Sequence, residues 1–416
     1  MRILWFSNTQ AVGTRKGIGC SWIGSLEAEL SKIPDIQLGI AFNSKYNCES
    51  PFTEGNISYY PMILRQAKSK LHQLFYRLTH KLESEDHIEL YLNVIQQFKP
   101  DIIHIFGAES DFGLIINKIS VPCIIHLQGI LTVINLKWYS DLSLLDILKY
   151  SRKSLLLRGH GLFHDYYISK KAEERERRIF QSCKYFMGRT EWDRRISFIL
   201  SPTSRYFKCE EIMRSGFYLH QWKAKPDQNK YQIITTIKNN IYKGLGTIFK
   251  CKEILRKHFR DYEVVWKIAG LIEEDEISYL IWKKYKVKFW ENNIRLLGRL
   301  QEDELIAEML ESDIFVHASH IENSPNSVCE AMMLGMPIIA TYAGGTPSML
   351  NDSNEGLLVQ DGDPYALAGA IIELIKDRNL AHKLGINARN RSLVRNNPER
   401  IVNDLLRIYS SVISEN

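Results

Sequence analysis

Short apolar runs alternate with amphipathic stretches along the whole chain. The runs with strand character are residues 3–6 (ILWF), 36–42 (IQLGIAF), 102–106 (IIHIF), 123–127 (CIIHL), 185–188 (YFMG), 232–236 (QIITT), 263–270 (EVVWKIAG), 294–298 (IRLLG), 313–318 (DIFVHA) and 337–341 (PIIAT). Short buried-type strands separated by helical patterns predict an α/β fold of mainly parallel sheets with helices on both faces. Five strands precede residue 215 and five follow residue 230. The polar stretch 220–231 between them carries Pro226 and no periodicity, and reads as a linker. The division is therefore a first domain over 1–215, a linker over 216–230 and a second domain over 231–397. Asn397 as N-cap and Pro398 as first residue open a last helix with Ile401, Leu405, Ile408 and Val412 at helical spacing. That helix either packs on its own domain or crosses back to the first.

Composition narrows the class. The 416 residues are 45% hydrophobic and 25% charged, which is globular and excludes disordered or collagen-like chains. A formal charge of +6 is too small over this length to imply nucleic acid, and fits a protein that handles anions or touches an acidic membrane surface. No apolar run reaches the ~18 residues of a membrane span. The N-terminal MRILWFSN reads as a first strand, without the pattern of a signal peptide. The seven cysteines are scattered without CxxC spacing, so a reducing cytoplasm is the expected home and no zinc site is indicated. Residues 57–86 and 141–180 are basic and rich in leucine and aromatics. They read either as ordinary helices with solvated lysines or as a surface for an acidic lipid or lipid-linked acceptor.

Four stretches can carry chemistry. Gly13, Gly17 and Gly19 follow the first strand and precede a helix starting near Ser21, so backbone N–H groups there can approach an anion; the spacing is not that of a dinucleotide fingerprint, and a flexible turn fits equally. Lys238 and Lys243 flank the loop after the strand 232–236, where two ammonium groups beside a helix start suit a diphosphate. In 317–341, Ser324 is the expected N-cap and Pro325 the first residue of a helix whose free N–H groups include those of Asn326 and Ser327. Glu322 and Glu330, with seven residues between them, bracket that helix start. Carboxylates there can accept hydrogen bonds from sugar hydroxyls while the N-terminus receives phosphate; they equally read as a helix-dipole acid and a solvated glutamate. Gly344 and Gly345 follow the strand 337–341, where a backbone without Cβ can lie against a phosphate or simply make a tight turn. His104 and His126 sit near strand ends, where open α/β sheets place ligands. Arg189 at a strand end is an anion contact or part of a surface helix start that Thr190 caps. Asp361-Gly362-Asp363 looks like a metal-binding motif, but Asp363 precedes Pro364 and reads as an N-cap, so no metal site is expected.

Together these pieces resemble family 4 of the retaining glycosyltransferases, which have the GT-B fold of two Rossmann-like doubly wound domains facing a central cleft. Glu322 and Glu330 fit the family's E-x7-E motif, and 330–347 (EAMMLGMPIIATYAGGTP) is similar to the run that follows it. Residues 100–107, 122–129 and 237–244 resemble the two first-domain strands and the phosphate-binding segment. The resemblance implies transfer of a sugar from a nucleotide sugar, UDP- or GDP-linked, to a glycan or lipid-linked acceptor, with retention and without cofactor or essential metal, the first domain being the acceptor domain and the second the nucleotide-sugar donor domain. It places polysaccharide or glycoconjugate synthesis at the inner face of the cytoplasmic membrane. By the same resemblance Glu330 would bind the donor ribose, Glu322 and Asn323 the donor sugar, and Lys238 and Lys243 the leaving diphosphate. Gly17, Gly19, Asn326, Ser327, Gly344 and Gly345 would line the phosphate site, and His126 would contact the transferred sugar. The chain departs from the family in carrying Lys238 in place of Arg, Gly19-Cys20 in place of paired glycines, and Asn-Ser-Pro after Glu322. A nucleotide-sugar 2-epimerase of the same fold, and a non-catalytic donor-binding or membrane-docking subunit, are the competing expectations.

Overall fold

The computed structural model describes residues 1–8, 22–44, 51–63, 69–82, 87–226 and 229–415. The chain forms two units: Met1–Asn135 with His164–Ile212 and Asn396–Asn416, and Leu136–Phe163 with Met213–Arg395.

Unit 1 is built on a sheet of β1 (Arg2–Ser7), β2 (Gln37–Asn43), β3 (Phe52–Glu54), β4 (Ile57–Met62), β5 (Ile102–Phe106), β6 (Cys123–His126), β7 (Tyr185–Gly188) and β8 (Arg205–Lys208). Its order is β3-β4-β2-β1-β5-β6-β7-β8, parallel except for the β3–β4 pair. Alternation along β1 shows why both faces are apolar. Ile3 and Trp5 enter one core with the helix Trp22–Leu30 and the last helix; Leu4 and Phe6 enter the other with Tyr91, Phe98, Phe112 and Phe180. The strand order reverses between β1 and β5, so their C-terminal ends, at Ser7 and Phe106, flank the sheet's switch point.

Unit 2 carries β9 (Lys230–Thr236), β10 (Glu263–Ala269), β11 (Ile294–Gly298), β12 (Ile314–His317), β13 (Ile338–Thr341) and β14 (Leu357–Val359), all parallel, in the order β11-β10-β9-β12-β13-β14. Its switch point lies between β9 and β12. All ten runs read as strands are strands. The last helix, Pro398–Ser414, is capped by Asn397 Oδ1, which accepts Arg400 N–H at 2.9 Å. It takes the crossing alternative: Ile401, Leu405, Ile408 and Val412 are buried in unit 1.

Two boundaries need correction. The first domain is not continuous over 1–215, because Leu136–Phe163 docks on unit 2. Asp141 accepts Gly246 N–H at 2.8 Å and Thr247 Oγ1–H at 3.0 Å, capping the helix Leu245–His258 from outside it. Lys284 pairs with Asp146 at 3.0 Å, and Leu162 N–H donates to Glu276 at 2.9 Å. Nor is 216–230 a free linker. Ser215–Leu219 is helical, and Phe217 and Trp222 are buried in unit 2's core, with Trp222 Nε1–H donating to Ser312 O at 2.8 Å.

Candidate functional site

Three loops converge at the switch point of unit 2. After β9, the chain passes Lys238 and a single 3-10 turn, Ile241–Lys243, to Gly244. Gly244 has φ +82°, and a Cβ there would overlap the Ala318 carbonyl; the glycine lets this loop touch the loop after β12. Backbone bonding ties the same two loops, with His320 N–H donating to Tyr242 O at 2.7 Å. The loop after β13 closes from the other side. Gly345 N–H donates to Glu322 O at 2.8 Å, and Gly344, at φ +55°, leaves no room for a Cβ beside that carbonyl. The Gly-Gly pair therefore positions the backbone of Glu322.

The side chains follow from this packing. Lys243 Nζ forms an ion pair with Glu322 Oε2, and His317 Nε2 lies 3.9 Å from the same oxygen. Burial opposes the charge on Glu322, but the Lys243 ammonium and His317 outweigh it and hold the carboxyl down at about 2. Glu322 is thus an anion at any physiological pH. Lys238 is exposed on the rim of the same loop.

The helix after this loop runs Asn326–Leu334 with Pro325, rather than Ser324, as its N-cap. A proline cannot cap with its side chain, so the N–H groups of Asn326 and Ser327 start the helix without a side-chain acceptor from the cap. Both residues are partly exposed, whereas Asn323 and Ser324 are buried. Ser324 turns inward, its Oγ 3.4 Å from Arg395 NH2. Glu330 lies one turn on and is buried. Its Oε1 accepts both Arg214 Nε–H at 3.0 Å and NH2–H at 2.7 Å. Burial raises its pKa, with Arg214 acting against that rise.

Gly13, Gly17 and Gly19 fall outside the described residues. His126, in unit 1, is 1% exposed, and neither ring nitrogen makes a hydrogen bond. Burial and the nearby His104 and Arg189 keep it neutral. Arg189 is no anion contact: it is buried, paired with Glu211, and donates to Leu127 O at 3.1 Å. Thr190 does cap its helix, with Asp193 completing a capping box. Asp363 caps Pro364–Lys376, and Asp361 takes Lys137 at 3.0 Å. Among the described residues no three His, Cys, Asp or Glu side chains gather as a metal site.

Sequence reasoning missed Arg214, His317 and Asp141. Nothing in the sequence around Arg214 marks it, because its link to Glu330 spans 116 residues.

Residues 219–391 match the family model for glycosyl transferases group 1. Over 171 residues the chain is 31% identical to the N-acetyl-alpha-D-glucosaminyl L-malate synthase of Bacillus anthracis, covering 38% of this chain and 44% of that one. The chain thus spans less than half the length of this curated relative. Two solved structures align over nearly all of both chains. The sucrose-phosphate synthase of Thermosynechococcus elongatus has a TM-score of 0.72 at 14% identity, covering 100% of each chain. Anabaena HepE, in complex with UDP and glucose, has a TM-score of 0.64 at 16% identity, covering 98% of this chain and 99% of that one. At these identities the likeness is one of fold, and the fold is GT-B.

Proposed function

We propose that this chain, whose residues 219–391 match the family model for glycosyl transferases group 1, moves a sugar from a nucleotide sugar to a glycan or lipid-linked acceptor with retention at the anomeric carbon. The observation that carries the reading is the Lys243–Glu322 pair beside the uncapped start of Asn326–Leu334, at the switch point of unit 2. A cation, free backbone N–H groups and a carboxylate held ionised lie in one loop cluster. The first two suit the leaving diphosphate, and the carboxylate suits the hydroxyls of the donor sugar. Glu330, oriented by Arg214, is assigned the ribose hydroxyls; Lys238 adds positive charge on the rim. Charge on the departing phosphate oxygens is met by ammonium and helix-start N–H groups, so the reading needs no essential metal. A donor phosphate oxygen takes the acceptor proton. UDP- and GDP-sugars are the expected donors.

An acidic membrane surface is the proposed working place. No helix among the described residues is long and apolar enough to cross a membrane. The helix Lys70–Thr79 exposes Leu71, Phe75 and Leu78, at helical spacing, beside Arg77 and Lys81. That combination suits anionic headgroups over an apolar layer. The proposed role is in polysaccharide or glycoconjugate synthesis on the cytoplasmic face.

The test is thermal stabilisation by UDP-, GDP-, ADP- and CMP-sugars, with and without magnesium. A ligand at 100 times its Kd adds about 2.7 kcal/mol. The expected result is a shift with UDP- or GDP-sugars, indifferent to magnesium and lost in Lys243→Ala and Glu330→Ala relative to each variant without ligand. A shift that both variants retain would remove the donor site from these loops. Conversion of the nucleotide sugar without acceptor to an epimer would favour an epimerase. Binding with no turnover on any acceptor would favour a non-catalytic subunit.

A further inference from the structure

The switch point of unit 1 carries a carboxylate that the donor chemistry does not use. Glu109 stands in the loop that leaves β5, after Gly107 and Ala108, at the C-terminal end of the strand where the order reverses. Its Oε1 accepts Gly129 N–H at 2.5 Å, from the turn after β6. Two glycines clear the space around it. A Cβ at Gly107, which has φ +89°, would overlap Oε2, and a Cβ at Gly129 would lie 2.8 Å from Oε1. Arg175 holds the Glu109 carbonyl, and Gly107 N–H donates to His126 O at 2.9 Å, so both turns are pinned. Unlike Glu176, whose two oxygens collect Leu131 N–H, Thr132 N–H and Thr132 Oγ1–H, the Glu109 carboxylate takes, among the described residues, a single N–H from outside its own loop, and the residue is half-buried. On the same strand ends His126 is buried with both ring nitrogens lacking a hydrogen bond.

We propose that Glu109 accepts the hydrogen bond of the acceptor hydroxyl, as an orienting carboxylate at the switch point of unit 1. The assignment rests on the reading of unit 1 as the acceptor domain. Open α/β sheets bind ligands outside the carboxyl ends of the strands at the switch point, and this is the carboxylate that β5 places there. A carboxylate recognises a sugar hydroxyl by accepting from it, and accepts most strongly in the ionised form, because protonation turns one oxygen into a donor. Burial, with Glu176 in support, raises its pKa to about 7, against its own backbone N–H, the Gly129 N–H and the Arg189 guanidinium. The other titratable groups on the adjoining strands, His104 and His126, are kept neutral by burial and carry no charge into this range. Below pH 7 the carboxyl is protonated and keeps only a weaker carbonyl acceptor, so acceptor use falls as pH drops through 7.

The experiment compares wild type, Glu109→Gln and Glu109→Asp. The donor is the nucleotide sugar that stabilises the wild type most. Octyl β-glucoside, octyl β-galactoside and octyl α-mannoside serve as acceptors, and the readout is nucleotide release above the rate to water from pH 5.5 to 8.5. The expected result is unchanged donor stabilisation and water rate in Glu109→Gln, with acceptor-dependent release down about tenfold or more and its fall below pH 7 abolished. Glu109→Asp, which keeps an ionisable group, retains that fall at a reduced rate and carries the test if Glu109→Gln does not fold. A variant pair that loses thermal stability but keeps the wild-type acceptor KM and pH profile overturns the assignment and leaves Glu109 a loop cap. Wild-type release that no acceptor accelerates overturns it together with the acceptor reading; intact donor stabilisation in that case leaves the donor site standing.

Discussion

One residue type takes different characters here according to what surrounds it. Glu322 stays charged because an ammonium faces it. Glu27, on the helix Trp22–Leu30, is the opposite case. It is buried, its Oε1 accepts from Tyr59 Oη–H, and its Oε2 has no partner. Burial raises its pKa from 4.5 to about 7, with Glu54 adding to the rise and the Tyr59 bond opposing it. A folded-state pKa above the unfolded one means that the native state holds its proton more tightly. The contribution to stability is then full below about 4.5 and lost as pH rises through 7. At ~1.4 kcal/mol per unit the loss is at most roughly 3.5 kcal/mol. Glu27→Gln keeps an oxygen for Tyr59 and removes the charge. Its melting temperature should exceed that of wild type by several degrees at pH 8 and by little at pH 5. An equal gain at both pH values would mean that folding leaves the Glu27 pKa where it is in the unfolded chain. The motif glutamates were legible in the sequence because both stand in one short segment around one helix start, and Gly344, Gly345 and Lys243 likewise sit in short loops after strands. Arg214 and the pairing of Glu109 with Gly129 were not, since each depends on which strand ends the fold brings together.

Legibility of the elements depends on burial. The ten strands seen in the sequence are apolar runs in sheet interiors or beside them, whereas β3, β4, β8 and β14 passed unnoticed. β3 and β8 are edge strands with mostly exposed or partly exposed side chains, β14 is three residues long, and β4 contains Pro61. The last helix was legible as a helix, but its address was not, because an apolar stripe does not name its partner. The partner is set by Tyr409. Its Oη donates to His104 Nδ1 at 2.6 Å and accepts from Trp5 Nε1–H at 3.2 Å, both in unit 1. Burial pushes the His104 pKa down to about 3, so the ring is neutral and Nδ1 remains an acceptor at neutral pH. Tyr409→Phe strands a buried donor and a buried acceptor, at about 1–3 kcal/mol each. Chemical denaturation should show a loss of that order. Donor-induced stabilisation should persist, because none of the donor residues lies in unit 1's core. A loss below about 0.5 kcal/mol would mean that the apolar stripe alone holds the helix.

At the scale of the molecule, the chain passes between the units four times, at 135/136, 163/164, 212/213 and 395/396. A simple division into two consecutive domains was readable from strand counts; the excursion Leu136–Phe163 was not. Its anchor, Asp141, is a helix cap supplied from about a hundred residues away in sequence, and capping signals in sequence are local. The consequence is that each unit has its own sheet, core and switch point, and each switch point presents a different chemistry. Unit 2 offers Lys243, Glu322 and helix-start N–H groups; unit 1 offers Glu109 between two glycine turns. Backbone N–H groups that gain a ligand partner or lose solvent exchange more slowly, and loops are the segments with most to gain. Hydrogen exchange followed by mass spectrometry should therefore show protection by the stabilising nucleotide sugar in 237–244, 318–327 and 343–346. An alkyl glycoside added afterwards should extend protection to 107–109 and 127–129. Lys243→Ala should erase the donor's protection, whereas Glu109→Gln should erase only the second, acceptor-dependent part. Donor protection confined to unit 1, or unaltered by Lys243→Ala, would mean that the nucleotide sugar binds through residues other than those at the switch point of unit 2.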